Sequence, residues 1–577
     1  MATGETRETT NETAGGHREP DTAPASLAQR EADGAAKRAS AAARMAKLAR
    51  VARGRGFLWT AFYNLYAAAI IEGDPQAGFQ LAEVLSALRP MHAVPELDEA
   101  FRLALRTPWA RPASLTRAIV DYLLLDRRLE SVTEEAYHTP EELDAAAQYL
   151  AGNELFCALL QTTVVNDLRM VRVLITLRDH LPFLAPPTPG ALRLAALLAT
   201  QANLTEYLWP YTEGPVEVAT TARGAMPPVT SARALLNSMF RPPNAAEINA
   251  IESIAADSAI DCLLARVRDE PALCTRHRDA LERAAVSLGT SASEPHDTPR
   301  SCARWFKEPY APQRLPLAVR RRLQARPDLG EEILVAGCGS GQELFAVCAT
   351  HPGARITALD ANTDKLSFAA RRCEEAGLRG IEFLPASLLD VAPLGWTFGL
   401  VECLGMQRHA PDVDFGCESL ARCTRPGSLL RLAVYSDATC RLISALRTAA
   451  QLNGVTPALA DLRAFRAELL EGRHGALPPA LLRSPAFFSV SGLRDLLFAD
   501  SEGVLGTSAW LAMLNAHGFD FLCEEINGEV VRAARAAGFR DAPIWSIRDC
   551  RRFERDHPFA FGGAQFLWFE RRAHLRR

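Results

Sequence analysis

Apolar positions recur at three- and four-residue spacing from Phe57 to about Leu288, as in Leu81, Val84, Leu85 and Leu88, which predicts amphipathic helices. Pro90, Pro112, Pro140 and the PFLAPPTPG stretch at 182–190 break this pattern into some eight segments. No 34-residue self-similarity accompanies them, so the expectation is an irregular helical bundle or a degenerate solenoid. Beyond Glu331 the period changes, and short β-type runs alternate with helical ones. Strands are expected at Ile333 to Ala336, Arg355 to Leu359, Ile381 to Pro385, Phe398 to Cys403 and Leu429 to Tyr435. Helices are expected at Gln342 to Thr350, Asp364 to Ala376 and Asp414 to Cys423. Strands linked by crossover helices imply a parallel sheet wound in right-handed units. After Ser436 the pattern reads as helical to about residue 525, and QFLWFERR near the end reads as a late strand.

The resulting plan is a disordered tail over 1–45, a helical domain over 46–290, an α/β domain over 297–440 and a mainly helical extension over 441–577. The tail assignment rests on its lack of large apolar side chains. GTSASEPH at 289–296 reads as a linker.

Composition narrows the function classes. Of 577 residues, 48% are apolar and 23% charged, and 64 basic against 68 acidic side chains leave a net charge of -4. No concentrated basic surface is expected, so no nucleic-acid partner is expected either; Arg320 to Arg322 and Arg571 to Arg577 read as solvated runs. Thirteen scattered cysteines without a CxxC pair fit a reduced, cytoplasmic protein, and no signal peptide or membrane span is read. The twelve histidines form no metal-ligand spacing, so no metal is expected.

The candidate chemistry lies in ILVAGCGSG at 333–341 and in Asp360, which closes the run ARITALD. Glycines at 337, 339 and 341 let the backbone approach a nucleotide-like ligand, and a carboxylate about 20 residues on can accept both ribose hydroxyls. A dinucleotide fingerprint would need glycine at 342, where Gln342 stands, which disfavours a nicotinamide oxidoreductase. Cys338 reads as a small side chain filling the turn. The bland alternative for Asp360 is a strand-end turn or helix cap before Asn362.

The GxGxG turn with Asp360 resembles the first motif of class I S-adenosylmethionine-dependent methyltransferases. This resemblance implies a Rossmann-like domain with a mainly parallel sheet, here preceded by an all-α domain, and S-adenosyl-L-methionine as cofactor. It implies cofactor contacts from Gly337, Gly339, Gly341, Gln342 and Asp360, and an adenine contact from Ser387 with the Leu388 backbone amide in LPASLLD. Glu402, ending the fourth strand in GLVECLGMQRH, is expected either near the methionine amino group or substrate, or in an ion pair with an arginine such as Arg408. His409 is a candidate base or a loop residue. The chain is also similar to bacterial methyltransferases with a helical or tetratricopeptide-type region before the catalytic domain. The segments carrying this likeness include VAGCGSGQ at 335–342, GMQRHAPD at 405–412, LAALLATQANLTEYLW at 194–209 and FERDHPFAFGGAQFLWFERR at 553–572. Such relatives carry a Tyr-Glu-Glu-Asn-Pro-Tyr-Pro segment over the donor site, where this chain has WFKEPYAPQ, which makes Tyr310 a further candidate. Val335 stands where many methyltransferases have an acid. The expected acceptor is an unidentified protein or small molecule, with a non-catalytic interaction protein built on a degenerate module as the alternative.

Overall fold

The computed structural model describes residues 27–573 except 133–138, 185–186, 211–230, 255, 289–304, 306–311, 314, 405–412, 479–480, 499–504, 527–529, 531–546 and 558–563. It divides into two units, Met1–Leu81 and Ala82–Arg577.

In the first unit a helix spans Leu27–Gly54 and packs on a second at Leu58–Tyr66. This corrects the expectation of a disordered tail to residue 45, part of which is helical. Ala42, Ala46, Ala49 and Ala52 are buried at three- and four-residue spacing. Alanine is the best helix former, and a stripe of it buries a helix face without any large apolar side chain.

In the second unit, several helices begin at the prolines that interrupt the sequence pattern. Pro112, Pro140 and Pro189 open Pro112–Leu123, Pro140–Gly152 and Pro189–Leu204, where a missing N–H costs nothing. Thr139 and Glu142 form a capping box at the start of Pro140–Gly152. Pro189–Leu204 is buried on nearly all sides from Leu194 onward, the centre of the helical region. The expected boundary near residue 290 does not separate two compact units. Helix Glu270–Leu288 packs on helix Thr363–Glu375 of the α/β region, joined by Arg371 to Glu270 at 3.3 Å and His277 to Glu374 at 2.9 Å.

The sheet contains β1 (Glu332–Ala336), β2 (Arg355–Leu359), β3 (Ile381–Leu384), β4 (Phe398–Cys403), β5 (Thr424–Tyr435), β6 (Phe519–Glu525) and β7 (Ala564–Arg571). Their spatial order is β3-β2-β1-β4-β5-β7-β6, with β7 antiparallel to both neighbours. The order reverses at β1, so the carboxyl ends of β1 and β4 flank the switch-point crevice where ligands bind on such sheets. Both faces are covered: Leu334, Val401, Leu430 and Leu567 enter one core, while Val335, Leu400, Leu429 and Trp568 enter the other.

β6 corrects the expectation of continuous helix to residue 525. Its sequence, FDFLCEE, gives a weak alternation, and the partner that makes it a strand, β7, follows some forty residues later. Near its end Glu524 is 8% exposed and faces Cys550 of helix Ile547–Asp556. Burial pushes its carboxyl up to about 7, with Glu554 adding repulsion and the Cys550 contact opposing the shift. A raised carboxyl contributes stability fully below the unfolded value of about 4.3 and loses it as pH rises through 7. Glu524→Gln should therefore stabilise the protein by about 2–3 kcal/mol at pH 8 and hardly at about pH 4 in urea denaturation. A difference independent of pH would remove this explanation.

Candidate functional site

From Ile333 to Ala336 β1 is apolar and buried, then the chain turns sharply. Gly337, Gly339 and Gly341 have φ of 69°, 56° and 88°, a left-handed region that other residues enter only with strain. The turn is fastened to the end of β2, since the Gly337 and Cys338 amides both donate to the Leu359 carbonyl, at 2.8 and 3.0 Å. Its middle is held by Asp360, whose Oδ2 accepts from the Gly339 amide at 2.8 Å while Oδ1 accepts from Asn362 N at 2.9 Å. The Trp305 indole N–H donates to the Ser340 carbonyl at 2.9 Å. Cys338 is buried, and burial pushes its thiol well up, which suits a filler of the turn rather than a nucleophile.

The three glycines face different surroundings. A Cβ on Gly341 would stand 2.7 Å from the Ala369 Cβ, so this glycine lets helix Thr363–Glu375 approach the turn. Gly341→Ala should cost about 2–4 kcal/mol, combining left-handed strain with overpacking, and chemical denaturation measures it. Gly339, in contrast, has no atom of a described residue within 4 Å of its would-be Cβ. Among the described residues it adjoins open room beside Asp360.

Helix Gln342–Thr350 starts at Gly341, which has no side chain to cap its first amides, and Gln342 is exposed at its first position. These features fit S-adenosylmethionine. The uncapped helix start and glycine turn would take the methionine carboxylate, and Asp360 would take the ribose, each of its oxygens keeping a second lone pair. At the end of β3, Ser387 caps a short helix, Leu388–Val391: its Oγ accepts from Asp390 N at 3.3 Å and donates to Asp390 Oδ2 at 2.8 Å. Leu388 opens that helix with its side chain in the core. Tyr310 and His409 lie outside the described residues, as does Arg408.

Glu402 has a partner that sequence reading did not name. Its side chain is 0% exposed; Oε2 receives Arg431 NH1 at 2.9 Å, and the Gln313 amide donates to Oε1 at 3.0 Å and Oε2 at 3.2 Å. Register explains the pairing, because Glu402 sits beside Val335 of β1 on one side and Arg431 of β5 on the other. Arg431 also holds Glu525 through two bonds of 2.7 and 3.1 Å, lies 3.8 Å from Glu343 and stacks 3.8 Å over the Phe566 ring. Glu343, in the first turn after the glycines, is paired in turn with Arg111 of the helical region. Burial pushes the Glu402 carboxyl up, and Arg431 and Gln313 only partly offset it. Burial also works against ionisation of Glu343, but Arg111 and Arg431 outweigh it and hold that carboxyl below its ordinary range. Among the described residues, no group of three or more His, Cys, Asp or Glu side chains could hold a metal, and no helix is long and apolar enough to cross a membrane.

The sheet order, the glycine turn and the acid at the end of β2 define a class I methyltransferase domain, the kind that uses S-adenosylmethionine. Residues 333–427 match the family model described as a methyltransferase domain. Over 113 residues the chain is 38% identical to an uncharacterized protein of Synechococcus sp., covering 19% of this chain and 27% of the relative. It is 28% identical over 112 residues to the ubiquinone biosynthesis O-methyltransferase of Rhizobium leguminosarum bv. trifolii, covering 19% of this chain and 43% of that one. The chain thus spans less than half the length of these curated relatives. Among solved structures, PKMT2 from Rickettsia typhi aligns with 46% of this chain and 54% of its own at 15% identity and a TM-score of 0.30.

Proposed function

We propose that this protein is an S-adenosylmethionine-dependent methyltransferase acting on a protein or small-molecule acceptor, with its helical region serving acceptor or partner recognition. The observation that carries the reading is Asp360 fastening the glycine turn while its remaining lone pairs adjoin the room that the described residues leave over Gly339. When bound, S-adenosylmethionine supplies an electrophilic methyl group on a sulfonium centre. Such a transfer needs little covalent help, so the protein's work is to position the reactants and exclude water. Gly339, Gly341 and the start of helix Gln342–Thr350 hold the methionine part, and Asp360 holds the ribose. Ser387 and Leu388 border the adenine side, with Ser387 acting through the cap that shapes that loop. Glu402, sealed by Arg431 and Gln313, sets the floor below the turn, so its reading is that of a positioning residue. The recognition role of the helical region is supported by its two attachments beside the cofactor turn, Arg111 to Glu343 and helix Glu270–Leu288 on helix Thr363–Glu375.

The test is transfer of label from methyl-labelled S-adenosylmethionine into a cell extract, followed by identification of the labelled species. Transfer that needs the intact protein and is lost in Asp360→Ala supports the reading. No labelled product over the background of the extract would count against it.

A further inference from the structure

The basic side chains are not spread evenly along the chain. Between Lys37 and Arg55 stand seven of them, and from Gly34 to Ile71 there is no acidic residue, although the whole chain carries a net charge of -4. Composition averages over this run, which is why it predicts no concentrated basic surface. The run lies in the first unit, on helix Leu27–Gly54 and the turn that follows. Arg44, Lys47, Leu48 and Val51 are spaced i, i+3, i+4 and i+7 and so share one helix face. All four are exposed, Leu48 at 57% and Val51 at 50%, while the alanine stripe on the other side of the helix is buried. Just beyond the helix Arg55 and Phe57 are exposed as well, Phe57 at 60%. Among the described residues, cations and large apolar side chains are therefore mixed on one surface. The alanines account for how the helix packs, and they leave Leu48, Val51 and Phe57 without a role in that packing.

We propose that this face binds an anionic lipid surface, with the cations at the headgroups and Leu48, Val51 and Phe57 entering the boundary of the acyl chains. A basic helix with an apolar component lies in the plane of a bilayer interface in this way, and each Lys or Arg held near an anionic leaflet adds to the attraction. The two residue types are compatible on one face, because long Arg and Lys stems cover apolar surface while their charged heads stay in water. Nucleic acid is the poorer match. Its phosphates would take the cations, but they offer Leu48 and Val51 nothing to enter. Attachment of this kind needs no spanning helix. It stands apart from the proposed cofactor site, and it places the protein where it meets acceptors carried in or on a membrane.

The experiment is sedimentation of the full chain with vesicles of phosphatidylcholine, alone or with about one-third phosphatidylserine. At low salt the chain should bind the anionic vesicles at least about a hundredfold more strongly, and high salt should remove most of that preference. Arg44→Gln with Lys47→Gln should weaken binding to the anionic vesicles about thirtyfold. Leu48→Gln with Val51→Gln should weaken it about tenfold through lost apolar burial, which salt does not screen. All four positions are exposed and glutamine is a good helix former, so both pairs should keep the helix content of the wild type in circular dichroism. A full chain that does not distinguish the two kinds of vesicle overturns the inference. So does a cation pair that loses binding beside an apolar pair that keeps it, the pattern expected of a nucleic-acid surface.

Discussion

Arg431→Met should destabilise the protein by about 3–5 kcal/mol, the cost of leaving buried carboxylates without their cation. The side chain is 4% exposed and is shared by Glu402, Glu525 and Glu343, while its flat face rests on Phe566. Burial alone would disfavour the guanidinium charge, but the carboxylates around it raise its pKa above the ordinary arginine value. Methionine fills much of the space and keeps the contact with Phe566, so the loss reports the electrostatics rather than a cavity. Urea denaturation measures it. The double variant Arg431→Met, Glu402→Gln should recover part of the loss, since the Glu402 carboxylate is the most deeply buried member. A single-variant loss under about 1 kcal/mol would show that the cluster is solvated and structurally idle.

The second large effect is on ligand affinity. Asp360→Ala should weaken S-adenosylhomocysteine binding at least about hundredfold, some 3 kcal/mol. The substitution removes the proposed ribose acceptor and also frees the Gly339 and Asn362 amides, so the turn loses the clamp that keeps it open. Asp360→Asn retains one acceptor oxygen and should fall between. If Asp360 were only a strand-end cap, both variants would lose stability while the folded fraction kept its affinity, and titration beside thermal melting separates the two cases.

Much of this domain is legible from local sequence. β2 and β4 fall at the residues their apolar runs indicate, and helix Gln342–Thr350 begins where the last glycine of the turn demands. The GxGxG spacing and Asp360 were readable because a turn and the acid that fastens it are tied to chain positions. The parts that escaped depend on distant partners. β6 needs β7 beside it. The helix Leu27–Gly54 is stabilised by an alanine stripe that carries little hydrophobic signal. Arg431 shows the same limit: a lone charge inside LLRLAVY, matched by Glu402 inside GLVEC, signals a cross-strand pair only once β4 and β5 are known to be neighbours in that register. Glu525, Glu343, Gln313 and Arg111 join from four further segments, and no spacing rule links them.

The central claim is that the turn over Gly339 and Asp360 holds S-adenosylmethionine, and calorimetric titration of the folded protein with S-adenosylhomocysteine tests it most directly. The account predicts saturable binding at one site per chain that Asp360→Ala weakens at least about hundredfold and that a dinucleotide does not compete away. A folded protein that gives no binding heat and no thermal stabilisation with this ligand, or that binds it equally well without Asp360, would contradict the account.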